Sequence, residues 1–352
     1  MKKRVLVGMS GGVDSSVSAA MLQEQGYEVG GITMRLAGKD NPDPALVERS
    51  EDAVRDAAAV AKTLCIPHHV VDVAEYFADC VVDYFVDEYL RGRTPNPCIR
   101  CNRSLKFGLL LRKARELGYE YLATGHYASI EDGYLRRGAD RRKDQSYFLY
   151  VLYQEGAIER VLFPLADKSK PQIRQIADSI GLPTASRSDS QDICFVPDGD
   201  YSGLIARRGI KDVPGEIVDI TGTVLGTHRG IWNYTIGQRK GLGALGKRMF
   251  VKQIEPQSNR IVAAENHQLM SSGFMMDSCI THPDGVPPGR RCEVQVRYRS
   301  AAVACTVEDC QGDRMRIKLA QPQRAIAPGQ SAVLYDGQTV IGGGIISFCS
   351  GK

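Results

Sequence analysis

Arg4-Val5-Leu6-Val7-Gly8-Met9-Ser10-Gly11-Gly12-Val13-Asp14-Ser15-Ser16 is the stretch whose reading decides the fold. An apolar run of buried-strand length ends at Gly8-Met9. A hydroxyl, two glycines, an acid and two more hydroxyls follow. Behind them Val13, Val17, Ala20 and Met21 share one face at helical spacing, which predicts a helix over 15–25. Strand, glycine turn and helix N-terminus in that order set backbone N–H groups and a positive dipole end at the carboxyl edge of a sheet. That arrangement cradles an anion. The glycines allow backbone to approach a phosphate without Cβ interference. Ser10, Ser15 and Ser16 can donate to its oxygens, and Asp14 can hold a magnesium ion or a nucleotide hydroxyl. The stretch has no lysine, which excludes the GxxxxGK[ST] loop.

Outward from this stretch, strands are expected over 4–9, 28–36, 68–73 and 121–127, and helices over 15–25, 46–64, 75–90 and 104–117. The alternation predicts an α/β fold, a doubly wound parallel sheet with its ligand at the carboxyl ends of the strands. Gly8-Met9 and Gly125-His126 both close strands and should border one crevice. Asp132-Gly133 reads as a tight hairpin turn. A helix over 171–180 starts after Ser169 and stops at Gly181. Beyond about residue 201 the pattern changes to short strands over 216–220, 223–226, 250–255 and 260–264. After His282-Pro283-Asp284-Gly285 come strands over 292–298, 302–307, 314–319, 332–335 and 342–348. The expected division is a nucleotide-binding catalytic domain over 1–200, a small β domain over 201–270 and a C-terminal β-barrel over 271–352. Gly241-Leu242-Gly243-Ala244-Leu245-Gly246-Lys247-Arg248 imitates phosphate-binding motifs. No strand precedes it and a strand follows, so it reads as a flexible basic loop.

At 352 residues the chain exceeds what one core supports. An apolar content of 43% and a charged content of 24% suit an ordinary soluble protein. No apolar run reaches membrane-spanning length, and Met1-Lys2-Lys3-Arg4 leads into a strand, not a signal peptide. A cytoplasmic location without membrane contact is expected. Ten cysteines in such a chain point to reduced thiols with catalytic or metal roles. The net charge of +4 proves no partner, but its distribution is informative. Arg239, Lys240, Lys247, Arg248 and Lys252 form one cluster. Arg136, Arg137, Arg141, Arg142 and Lys143 form a second, and Arg290, Arg291, Arg297 and Arg299 a third. With Tyr134, Tyr147, Trp232, Tyr234 and Tyr298 nearby, these patches suit a phosphate backbone and stacked bases.

Thr94-Pro95-Asn96-Pro97-Cys98-Ile99-Arg100-Cys101-Asn102 lies at the entrance of the helix expected over 104–117. The helix dipole, Arg100 and Arg103 should favour a thiolate here. By itself Cys98-x-x-Cys101 fits half a zinc site or a redox pair, and no second CxxC accompanies it. Asp189-Ser190-Gln191-Asp192-Ile193-Cys194-Phe195 sets another cysteine on a polar loop. The other seven cysteines read mostly as small core residues.

The opening loop resembles the PP-loop of the ATP pyrophosphatases. Over nearly its whole length the chain is similar to the bacterial tRNA-specific 2-thiouridylases. The resemblance rests on the residues from Gly8 to Ser15, on Thr94-Pro95-Asn96-Pro97 leading to Cys101-Asn102, on Ala123-Thr124-Gly125-His126-Tyr127 and on Lys143-Asp144-Gln145-Ser146-Tyr147-Phe148. It continues with Cys194-Phe195, Gly237-Gln238-Arg239-Lys240-Gly241-Leu242-Gly243, Arg297-Tyr298, Pro328-Gly329-Gln330-Ser331-Ala332 and Gly342-Gly343-Gly344. It implies an adenine nucleotide alpha hydrolase-like domain, and ATP and Mg2+ as cofactors. The implied activity is sulfur insertion at position 2 of the wobble uridine, with a persulfide relayed from a cysteine desulfurase.

Carried to this chain, the resemblance implies that Gly8, Met9, Ser10, Gly11, Gly12, Val13, Asp14, Ser15, Met34 and Gly125 hold ATP. Asn96, Pro97, Cys98, His126, Lys143, Asp144, Gln145, Arg297, Tyr298 and Gln330 would meet tRNA or its target base. Cys194 would carry the persulfide, and Cys101 would be the nucleophile that forms a transient disulfide with it. Many members carry an aspartate where this chain has Cys98. The resulting set Cys98, Cys101 and Cys194 could instead hold an iron–sulfur cluster, an alternative route to the same product. Another PP-loop tRNA ligase would share residues 4–36 without needing the thiols, and a nucleotide-gated RNA-binding protein would need only the basic patches.

Overall fold

The computed structural model describes residues 2–185, 193–196 and 199–350. Asp189, Ser190, Gln191 and Asp192 of the expected polar loop lie outside the described residues. Two compact units form. One comprises the residues up to Val81, Cys98–Phe195 and Gln338–Val340; the other comprises Val82–Pro97, Val196–Gly337 and the residues from Ile341.

The first unit is built on a parallel sheet of β1 (Arg4–Gly8), β2 (Glu28–Arg35), β3 (His68–Asp72), β4 (Tyr121–Ala123) and β7 (Val161–Leu162), in the order β3-β2-β1-β4-β7. Val5, Leu6 and Val7 are fully buried, as expected of a central strand covered on both faces. Val5 and Val7 pack with Val13, Val17 and Leu22 of α1 (Val13–Glu24), Val60 of α2 (Pro44–Thr63) and Ile173 and Ala177 of α7 (Lys170–Ser179). Val7 pairs with Gly31 on one side and Ala123 on the other. The strand order therefore reverses at β1, and the crevice between the ends of β1 and β4 is the ligand position of such a sheet. β4 ends four residues earlier than expected, freeing Thr124–Tyr127 for the site.

Helix starts follow local chemistry. Asp43 caps α2 by accepting from the N–H groups of Ala45 and Leu46. Ser169 and Gln172 form a capping box on α7. α3 (Ala74–Phe77) continues through a π-helical turn (Ala78–Asp83) into α4 (Tyr84–Leu90). The helix expected from residue 104 begins earlier, as α5 (Pro97–Cys101), because Pro97 is preorganised for a first helical position. It passes through a π-helical segment (Asn102–Leu110) into α6 (Leu111–Glu116). Asp132 and Gly133, with φ of 51° and 81°, make the hairpin between β5 (Ala128–Glu131) and β6 (Tyr134–Arg137).

In the second unit, α8 (Tyr201–Arg207) precedes a four-stranded sheet. It consists of β8 (Gly215–Val218), β9 (Val224–His228), β10 (Met249–Glu255) and β11 (Arg260–Glu265), in the order β10-β11-β8-β9. The loop over 241–248 is not a phosphate loop: no strand enters it and β10 leaves it. The barrel closes as β12 (Met270–Thr281), β15 (Arg314–Arg324), β14 (Val303–Gln311), β13 (Arg291–Gln295), β16 (Ser331–Asp336) and β17 (Thr339–Ser350), with β12 pairing back to β17. β12 was absent from the expected strands, since Met270-Ser271-Ser272-Gly273-Phe274-Met275-Met276 carries no alternation. Its register shifts against both neighbours account for the irregular pattern. Cys65, expected in a core, is exposed at a left-handed turn, whereas Cys305 is buried in the barrel.

Candidate active site

Two loops leave adjacent strands at the switch point. In the first, Gly11 takes φ of 71°, the left-handed turn for which the glycine is required. Gly8 and Gly12 adopt no such angle, and a Cβ on either would meet ordinary contacts. Met9 and Val13 are buried and serve the loop through backbone. Met9 donates its N–H to Ile32 at 2.8 Å and accepts from Thr33 Oγ1 at 2.9 Å. Met34 is half-buried near the carboxyl end of β2.

The serines divide. Ser10 is exposed, and its N–H donates to Ser15 Oγ at 3.2 Å. Ser15 Oγ in turn donates to the Gly12 carbonyl at 3.1 Å. Ser16, expected to meet phosphate, is fully buried; it donates to the Gly12 carbonyl at 2.9 Å and accepts from Thr184 at 3.2 Å. Ser16 holds the helix start instead.

Asp14 is also committed. Both its oxygens pair with Lys170 Nζ, at 2.8 and 2.9 Å, and Tyr127 Oη donates to Oδ1 at 2.7 Å. The expected metal ligand is therefore already neutralised, and no three His, Cys, Asp or Glu side chains among the described residues converge as a metal site. The loop's missing lysine comes from another element, at the first position of α7. A lysine there opposes the helix dipole, the one sequence signal that could have marked it. The second loop closes against the first. A Cβ on Gly125 would lie 2.8 Å from both Asp14 C and Ser15 N, so only glycine permits this approach. Loop backbone, an exposed hydroxyl, a helix N-terminus and Lys170 together fit a nucleotide's phosphates.

His126 is buried between Phe107 and Phe163. Lys106 Nζ lies 3.4 Å from Nε2, and Thr124 Oγ1 lies 2.7 Å from Nδ1. An ammonium group cannot accept, so Nε2 takes its proton and Nδ1–H donates to Thr124. Burial first, and then the Lys106 charge, hold the imidazole well below its usual pKa, and it is neutral.

Cys98 and Cys101 share a face of α5, Cys98 exposed and Cys101 half-buried. Their thiols are not acidified as expected. Desolvation raises both, with Lys106 as the opposing charge, and Arg100 is turned away to donate to the Cys80 carbonyl at 3.1 Å. Cys194 presents an open face to solvent beside buried Phe195, which packs edge-on against Phe77. Dense protein around its sulfur pushes the thiol up to about 12, with Cys101 and Cys98 contributing next. The three thiols thus lie within electrostatic reach of one another but do not converge as cluster ligands, and the iron–sulfur alternative draws no support.

The residues expected to meet tRNA scatter in role. Asp144 is a half-buried anchor: it pairs with Arg137 at 3.2 Å and accepts from the N–H groups of Gly138 and Ser146 at 3.0 and 3.1 Å. Gln145 exchanges bonds with the backbone of Tyr127. Both shape the loop that presents half-buried Lys143. Asn96 is half-buried and Pro97 buried. In the second unit the Gln330 amide donates to the carbonyls of Thr94 and Pro95 at 2.9 and 3.2 Å, and Arg297 donates to the Ala325 carbonyl. Tyr298 is half-buried. Tyr147, Trp232 and Tyr234 are buried and offer no stacking face.

Three family models match the chain. The tRNA methyl transferase HUP domain covers residues 3–198, the tRNA methyl transferase PRC-barrel domain 204–265 and the aminomethyltransferase β-barrel domain 280–346. The chain is 46% identical to the tRNA-specific 2-thiouridylase MnmA 1 of Caldanaerobacter subterraneus subsp. tengcongensis, over 98% of both chains. It is 46% identical to the corresponding MnmA of Carboxydothermus hydrogenoformans, again over 98% of both. With that of Geobacter metallireducens the identity is 44%, over 98% of this chain and 97% of the relative. No helix among the described residues is long and apolar enough to cross a membrane.

Proposed function

The chain belongs to the tRNA-specific 2-thiouridylases, and from that premise we propose how its residues divide the work of making 2-thiouridine in tRNA. The enzyme is a tRNA-uridine 2-sulfurtransferase. The observation that carries the division is that one compact unit holds both the phosphate cradle at the β1/β4 switch point and a set of thiols within charge reach of each other.

ATP supplies an AMP group that makes the uracil 2-oxygen a leaving group. Gly11, Ser10, the start of α1 and Lys170 hold its phosphates, while Asp14 and Tyr127 fix Lys170. Mg2+ enters with the nucleotide; the described carboxylates form no cage for it, and no step is assigned to it. Neutral His126, buried within the second loop, adds no charge near the base.

Sulfur transfer then balances on two thiols. A donor persulfide gives its outer sulfur to Cys194, and the donor thiol leaves. The outer sulfur on Cys194 attacks C2 of the activated uridine and expels AMP. The Cys101 thiolate attacks Cys194 Sγ, which releases 2-thiouridine and leaves a Cys101–Cys194 disulfide. A thiol reductant restores both. Burial raises the Cys194 thiol, so it must give up its proton as it attacks the donor's outer sulfur, because the thiolate is the nucleophile in that exchange.

The donor protein, the contacts of Lys143 and Arg297 with tRNA, the cytoplasmic location and the division at residues 200 and 270 are parts of the same reading. The test uses unmodified tRNA, ATP and a persulfide donor, with nucleoside mass analysis. Equal amounts of 2-thiouridine, AMP and pyrophosphate are expected, with product lost in Cys101→Ser and Cys194→Ser. ADP in place of AMP, or thiolation without either cysteine, overturns it. Lys143→Ala should weaken tRNA binding and lower its salt slope by about one.

A further inference from the structure

We propose that Arg49 and Lys106 form the seat of an anionic sulfur, the terminal sulfur of a persulfide carried on Cys194. The proposal rests on the sulfur-transfer reading above and adds two residues to it. Lys106 stands five residues beyond Cys101. On an α-helix that spacing would rotate it about 140° away. The segment Asn102–Leu110 is π-helical, and its i→i+5 closure returns Lys106 to the side of the helix that carries Cys101. There it donates to His126, which is neutral, and no carboxylate pairs with it among the described residues.

Arg49 lies on α2, the helix that follows β2. Its Nε and Nη2 are buried, and neither has a hydrogen-bond partner among the described residues. A buried guanidinium with two idle donors is costly unless something accepts from them. Among the described residues, Arg49 and Lys106 are cations whose charge is felt at the Cys194 sulfur, beside Cys101 and Cys98. A neutral thiol leaves both cations uncompensated. Loading changes this: R–S–SH and Cys194–SH become R–SH and Cys194–S–SH, and loss of one proton leaves a single negative charge on the outer sulfur. That anion satisfies Arg49 and Lys106 and is held as the nucleophile.

The full-length chain is loaded at Cys194 with a small-molecule persulfide. Single-turnover thiolation of tRNA is followed beside pyrophosphate release, and the loaded protein alone is titrated with iodoacetamide across pH. Arg49→Met and Lys106→Met should each slow sulfur transfer about tenfold and raise the alkylation midpoint by about one pH unit, as loss of a nearby opposite charge requires. Pyrophosphate release should stay unchanged in Arg49→Met, and Lys106→Arg should retain most of the transfer rate. In the unaltered chain, thiocyanate should slow persulfide alkylation at least twofold more than equimolar chloride, a measurement that holds even where a variant misfolds. Unchanged alkylation profiles in both Met variants, or equal effects of the two anions, overturn the seat. Failure of the loaded wild-type chain to thiolate tRNA overturns the transfer reading instead, while the alkylation arm still judges the seat.

Discussion

Lys170 occupies the first position of α7, where a positive charge opposes the helix dipole, and both oxygens of Asp14 hold it there. An ion pair at such a place is poised for an incoming polyanion, which offers Lys170 more charge than one carboxylate. Lys170→Met should cut AMP formation about a hundredfold, the scale of losing one preorganised charge, with near-UV circular dichroism unchanged. Retention of the full rate would remove Lys170 from the phosphate site. His126 gives a stability signature. Its folded pKa is depressed, by burial and by Lys106, so the unfolded chain binds the proton better below about 6.5. Its contribution is complete above that value and declines as pH falls toward the folded pKa. Denaturant unfolding at pH 7.5 and 5.5 should show a steeper acid loss in wild type than in His126→Gln. Parallel losses would contradict a neutral buried imidazole.

At the scale of elements, the site depends on where strands and helices stop. β4 ends at Ala123, so Gly125 can lay its backbone on the first turn of α1. Gly125→Ala would press a methyl group onto the Asp14–Ser15 peptide at 2.8 Å, where neither side is a flexible side chain. ATP affinity, read by equilibrium binding, should fall at least tenfold, and the thermal midpoint should fall as the strained contact costs about 1–3 kcal/mol. Normal affinity would mean that the two loops are free to separate. The π-helical segment is the other decisive element. It was expected as ordinary helix, since Asn102-Arg103-Ser104-Leu105-Lys106-Phe107 has apolar spacing compatible with either. One inserted residue per turn is a tertiary choice, and it puts Lys106 with the thiols.

At the scale of the whole molecule, three sheets form among the described residues, and one of them closes into the barrel. Closure brings Gly344 of β17 against β12, where a Cβ would lie 2.8 Å from Cys279 Sγ and 3.0 Å from the Asp277 carbonyl. Gly344→Ala should destabilise the barrel by about 1–3 kcal/mol, visible as an earlier unfolding transition in calorimetry. An unshifted trace would show that the seam relaxes freely. The sequence by itself determined the parallel sheet, the glycine loop, the hairpin at Asp132-Gly133, the start of α7 and the family. Each is written in local periodicity, in turn chemistry or in contiguous motifs, which a chain carries before it folds. Only the tertiary structure decided that Asp14 is spent on Lys170, that Ser16 and Asp144 are internal braces, that the thiols are raised and that β12 seals the barrel. Those outcomes depend on which distant group arrives next to a side chain and how much water it displaces. Charge, burial and strand closure are properties of that encounter, and no local stretch of sequence contains both of its partners.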